Sequence, residues 1–144
     1  IATTPDVTRL GAFAALRKAI ADEFGPAFES VTWTCDEDAE HAAKRLPAIK
    51  AETLYYAARE LMRNAARHAQ PAAGTGLHLA ISATCAAGQL VVAVEDNGED
   101  PGISAAPGHG LALHTALMAI AGGSLTVQTM PGKGVRGELL LRNP

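Results

Sequence analysis

The sequence has only two cysteines, Cys35 and Cys85, fifty residues apart. That is too few for a disulfide scaffold and lies outside the paired spacing of zinc ligands. Both read as buried thiols, and a reducing cytoplasm is the expected compartment. Basic blocks are also missing: 12 Lys and Arg stand against 15 Asp and Glu, for a net charge of −3. A nucleic-acid surface needs clustered cations, so none is expected. No apolar run approaches the ~18 residues of a membrane helix, so no membrane contact is expected of this segment. His41, His78 and His114 are scattered and match no metal-ligand spacing. No signal peptide opens the chain, and its start at Ile1 leads us to expect a single domain, 1–144, excised from a longer protein.

What is present is enough for one packed core: 144 residues, 48% apolar and 19% charged. Residues 7–24 carry an apolar stripe at helical spacing, stopped by Gly25-Pro26. Residues 28–35 alternate, with Val31, Trp33 and Cys35 on one side, and read as a strand. Asp36-Glu37-Asp38 opens a polar connection or short helix, and Pro47 suits the first turn of a long helix reaching about Ala69. Strands follow at 77–85 and 89–95, then a loop rich in Gly and Pro at 97–110. A helix over 111–121 ends at Gly122-Gly123. Strands at 125–130 and 135–141 make a last hairpin around Gly132-Lys133-Gly134. The expected architecture is α/β, a two-layer sandwich with three main helices on one face of a mixed, mostly antiparallel sheet.

Three places carry chemistry. In the long helix, at 100° per residue, Asn64, Arg67 and His68 fall at roughly 40°, 340° and 80° from Glu60. Leu54, Ala58, Leu61, Ala65 and Ala69 form the neighbouring apolar face. A carboxylate there can polarise a water, an amide oxygen can hold Mg²⁺, and Arg and His can neutralise phosphate. Asp96-Asn97-Gly98 follows a valine-rich strand, where a carboxylate at a strand's end can point into a crevice. Gly108-His109-Gly110-Leu111 leads into a helix, where backbone N–H groups can meet an anion. It contains no Gly-Lys-Ser/Thr and is not a P-loop. Taken singly, each has an ordinary reading: a solvated helix face, a plain turn, a loop before a helix.

In combination and in this order, they resemble the ATPase family shared by histidine kinases, gyrase, mismatch-repair proteins and heat-shock chaperones. Residues 60–68, ELMRNAARH, resemble the family's N box. Asp96-Asn97-Gly98 resembles its first glycine box, Gly108-His109-Gly110-Leu111 its second, and Gly132-Lys133-Gly134 the glycine turn of its last hairpin. The wording Asn-x-x-Arg-His-Ala and the short loop between Asp96 and Gly108 are similar to sensor kinases that pair with helix-turn-helix response regulators. The resemblance implies a Mg-ATP-binding kinase domain of two-component signalling. It would pass the γ-phosphoryl group to a histidine on a separate dimerisation domain of the same protein, and the response regulator would be an indirect partner. It implies Glu60 as base or water-polariser and Asn64 as Mg²⁺ ligand. Arg67 and His68 would contact phosphates, and Asp96 would accept the adenine amino hydrogen. Gly98 would make room for the ring, and Gly108, His109, Gly110 and Leu111 would line the triphosphate.

Two residues depart from the pattern. Asp100 stands where the first glycine box has a second glycine, and Val135 where the last turn often has Thr. A carboxylate at Asp100 would repel phosphate, and Val135 removes a hydroxyl. They support a second reading, a protein-interaction module of the same fold with eroded nucleotide binding. A third is a stand-alone serine kinase of the anti-sigma-factor type.

Overall fold

The computed structural model describes residues 4–98, 109–130 and 132–144. Its helices are α1 (Thr4–Leu10), α2 (Ala12–Ala19), α3 (Glu37–Lys44), α4 (Ala48–His68) and α5 (His109–Ile120). Its strands are β1 (Ser30–Cys35), β2 (His78–Ala86), β3 (Gln89–Asp96), β4 (Gly123–Met130) and β5 (Gly134–Arg142).

The single helix expected over 7–24 is divided. Gly11, at φ 88°, separates α1 from α2, a backbone conformation that a side chain would resist. The chain then passes through a π turn, Ile20–Phe24, and a 3₁₀ turn, Gly25–Ala27. Within the π turn, Glu23 receives Arg59 of α4 in a forked pair, at 2.5 and 3.3 Å. The acidic segment after β1 does form a helix: Asp36 caps α3, its Oδ1 accepting from the Ala39 amide at 2.7 Å. Pro47 sits at the N-cap of α4, where its missing N–H costs nothing.

The five strands lie in the order β1-β2-β3-β5-β4. β1 runs parallel to β2, and every other pair is antiparallel, so the sheet is mixed and mostly antiparallel. One sheet face is covered by helices. Val31, Trp33 and Cys35 alternate toward them from β1, as do Leu79, Ile81 and Ala83 from β2 and Leu139 and Leu141 from β5. α4 meets that face with Leu54, Tyr55, Ala58, Leu61, Met62 and Ala65, all buried. Met62 and Met118 are fully buried packing residues. On the other face Arg136 bridges Glu95 and Glu138, all three half-buried. Both cysteines are half-buried free thiols. Burial pushes Cys35 up to about 11, which favours the protonated thiol at neutral pH. No helix is long and apolar enough to cross a membrane among the described residues.

This architecture brings the ends of three elements together. β3 ends at Asp96, the β4–β5 hairpin turns beside it, and the last two turns of α4 pass over both. Gly134 permits that closure. It sits at φ 117°, and a Cβ there would collide with the Asp96 carbonyl.

Candidate functional site

A crevice opens at this meeting point. It is lined by Leu61, Asn64 and Ala65 of α4, Val94 and Asp96 of β3, Leu111 of α5, and Val127, Val135 and Gly137 of the hairpin. It is narrow and partly open to solvent. Its walls are aliphatic, and Gly137 adds depth by having no side chain. A Cβ at Gly137 would stand 2.6 Å from Leu61 Cδ2.

Asp96 is 8% exposed and the one buried charged side chain among the described residues. Its Oδ1 accepts from the Gly98 amide at 2.9 Å. Burial raises its pKa, while the backbone amides of Gly98 and Val135 oppose the rise. One oxygen is thus occupied by the turn, and the carboxylate as a whole lies against an apolar slot. A flat, apolar ring with an exocyclic amino group suits such a slot, since a half-satisfied buried carboxylate can still accept a further hydrogen bond.

The turn after Asp96 is built by side chains as well as glycine. Asn97 Oδ1 accepts from the His78 amide at 2.6 Å, and its Nδ2 donates to the Gly76 carbonyl at 3.0 Å, fixing the entry to β2. A Cβ on Gly98 would lie 3.0 Å from Ala69 Cβ and from the Gln70 nitrogen. The space Gly98 leaves is therefore used by the end of α4.

Of the polar residues of α4, Asn64 lines the crevice and Glu60 lies one turn before it, both half-buried. Glu60 is loosely held, by Arg63 at 4.0 Å. Arg67 and His68 are exposed and do not line the crevice. Leu111 does line it, while Gly108 and Asp100 lie outside the described residues, and the surroundings of His109 and Gly110 are not described.

His114 is a residue that sequence reasoning set aside. It is half-buried on α5, and its Nδ1 is shut from solvent with no hydrogen-bond partner. Burial lowers its pKa, Glu60 counteracts, and Arg63 adds to the lowering. The available signal was its place three residues after Leu111 and four before Met118, on the inward stripe of α5.

The order of these parts matches a family of known ATPases. The profile of the "Histidine kinase-, DNA gyrase B-, and HSP90-like ATPase" family matches residues 49–144, from the start of α4 through β5. The chain belongs to this ATPase family. No curated protein matches it in sequence. Among solved structures, the histidine kinase domain of the Erythrobacter litoralis EL346 blue-light activated histidine kinase is similar. It superposes with TM-score 0.73 at 20% identity, over 92% of this chain and 61% of that one. The Erythrobacter litoralis EL346 blue-light activated histidine kinase superposes with TM-score 0.70 at 20% identity, over 95% of this chain and 43% of that one. The chain thus has the histidine-kinase ATPase fold and spans less than two thirds of either relative.

ATP fits the residues of the crevice: a buried acceptor for an amino group, aliphatic walls for a ring, and Leu111 of α5 at its edge. Mg²⁺ fits in a narrower sense. Among the described residues no group of three or more His, Cys, Asp or Glu could hold a metal ion. Asn64 and Glu60 offer two oxygen donors one helical turn apart. That is enough for an ion that keeps its waters and bridges substrate phosphates, and too little to bind it alone.

Proposed function

We propose that this domain binds Mg-ATP in the crevice and supplies the γ-phosphoryl group to a histidine on a separate dimerisation domain of a larger two-component sensor kinase. The buried Asp96 at the floor of an aliphatic slot carries this reading. Its carboxylate would accept the adenine amino hydrogen, with the ring between Leu61, Ala65, Val94 and Val127. Asn64 would contribute the protein's oxygen to Mg²⁺. Arg67 and His68, exposed at the end of α4, would meet phosphates from outside. The Gly108–Leu111 segment would supply backbone N–H groups at the start of α5. Glu60 would act as base or water-polariser. Such a site works by positioning and charge neutralisation, which suits phosphoryl transfer.

α5 supports the partner. Leu113, Leu117 and Ile120 are 57%, 37% and 82% exposed, and their spacing makes one apolar stripe on its outer side. A helix-bearing acceptor domain would cover that stripe next to the phosphate end of the crevice. The response regulator would be reached only through the phosphorylated histidine.

Calorimetric titration of the domain with a non-hydrolysable ATP analogue and Mg²⁺ tests the first half. Phosphate transfer to added acceptor helices tests the second. Saturable binding without GTP competition is expected, and no heat of binding at millimolar nucleotide would defeat the proposal. In that case the interaction-module reading takes over, which Val135 favours by bringing no hydroxyl to the crevice wall.

A further inference from the structure

The inward stripe of α5 reads Leu111, His114, Met118. Leu111 reaches the crevice and Met118 is fully buried in the core. Between two such residues an aliphatic side chain would pack without cost. The chain instead holds an imidazole whose Nδ1 is shielded from water and unpaired. A buried polar atom without a partner is costly, so its presence calls for a reason.

The surroundings narrow the reason. α5 packs on α4 and β4 and touches β5. β4, GSLTVQTM, has no ionisable residue. The ionisable side chains of β5 lie on the opposite sheet face, with Arg136 held by Glu95 and Glu138 and Arg142 exposed. Among the described residues, the charges that act on His114 are Glu60 and Arg63, both from α4. Among the described residues Glu60 is itself under-held: its side chain is only 18% exposed, yet its partner Arg63 stands at 4.0 Å, the outer limit of an ion pair. A donor without an acceptor and an acceptor without a close donor thus face the same helix seam.

We propose that His114 is a positioning residue for Glu60, lending a ring N–H to the carboxylate from across the α4–α5 seam. The inference rests on the role given to Glu60 above. The two helices pack on one another, and Glu60 is the carboxylate whose charge acts on the imidazole. A neutral imidazole suits the task, since it fixes the carboxylate without neutralising it as a cation would. Because α5 begins directly after the glycine run, the bond would also tie the carboxylate's aim to the state of the phosphate end of the crevice.

The test uses the full-length kinase for turnover and the ¹⁵N-histidine-labelled domain for NMR. His114→Phe keeps the ring volume and removes the donor. It should lower kcat about tenfold and leave KM for ATP within about twofold, because an orienting contact acts mainly on the chemical step. His114→Gln restores a donor and should recover most of the rate. In the Glu60→Gln background His114→Phe should add nothing further. The ring ¹⁵N shifts of His114 should move in Glu60→Gln. The proposal is overturned if His114→Phe turns over at the wild-type rate while Glu60→Gln is slow. It is equally overturned if the His114 ring signals ignore Glu60→Gln, a result that stands even should His114→Phe fail to fold. Wild-type transfer by Glu60→Gln would instead overturn the reading of Glu60 itself, and the positioning role with it.

Discussion

Replacing Asp96 by Asn separates what the carboxylate does for binding from what it costs the fold. The amide keeps an oxygen for the Gly98 N–H, which the carboxylate now accepts at 2.9 Å. The turn therefore survives. The second oxygen becomes an NH₂ group, which would meet an adenine amino group donor against donor. A hydrogen bond to a charged acceptor is worth about 1.5–3 kcal/mol, so affinity should fall roughly 10- to 150-fold. GTP should bind the wild type poorly for the complementary reason: its carbonyl oxygen at that position would face the carboxylate.

Stability should move the other way. Burial raises the folded-state pKa of Asp96 above its ordinary value, so the folded protein holds this proton more tightly than the unfolded chain does. As pH rises from the ordinary carboxylate range through the raised value, the unfolded chain binds fewer protons than the folded one. Stability from this group therefore falls across that window and stays reduced at neutral pH. Asn carries no such charge, so the nucleotide-free variant should melt at the same temperature or higher. Nucleotide binding by the wild type should weaken on acidification through that same raised value, nearer neutrality than for an ordinary aspartate. Calorimetry against pH and thermal melts of both proteins measure all of this. An Asp96→Asn protein that binds ATP like the wild type, or melts well below it, would refute the reasoning.

Much of this arrangement was legible from local pattern. The valine-rich strand leading to Asp96, the apolar stripe of α4 and the glycine turn of the last hairpin all survive in the structure within a residue or two of where the sequence pattern put them. The failures share a cause: each depends on contacts distant in sequence. Gly11 sits inside a helical stripe and looks like a tolerated glycine, and only packing shows it at positive φ between two helices. The parallel pairing of β1 with β2 joins Ser30 to His78, across a helix pair that no short window spans. Val94, Val127 and Gly137 wall the crevice, but they are strand residues whose meeting depends on β5 inserting between β3 and β4. Gly137 in particular breaks a strand pattern, a signal of close backbone or side-chain approach. His114 read as a stray histidine because its neighbours, Glu60 and Arg63, lie on another helix.

The remaining expectations probe the glycines, the α5 stripe and the polar turn of α4. Gly137→Ala should destabilise the domain by about 1–3 kcal/mol in urea melts, because its Cβ overpacks Leu61. Gly134→Ala should cost more, since positive φ and the Asp96 backbone both oppose it; equal costs would contradict the geometry. Leu113→Ser with Ile120→Ser removes apolar surface that is already in water, so stability should change by less than about 0.5 kcal/mol per site. Phosphate transfer to acceptor helices should nonetheless fall, and unchanged transfer would show that this stripe is not the docking face. Glu60 and Asn64 lie four apart and can converge on one point, but they should fail differently. Asn64→Ala removes an oxygen ligand of an ion the protein cannot hold without the nucleotide. It should abolish the gain in ATP affinity that Mg²⁺ brings and leave metal-free binding in place. Glu60→Ala should leave both affinities near the wild-type values and slow transfer by ~100-fold or more, because a base acts on the transition state and not on the bound substrate. Titrations with and without Mg²⁺, paired with single-turnover transfer, resolve the two. If Asn64→Ala keeps the full Mg²⁺ dependence, the ion is held elsewhere, and the polar turn of α4 is surface beside the crevice and not part of its chemistry.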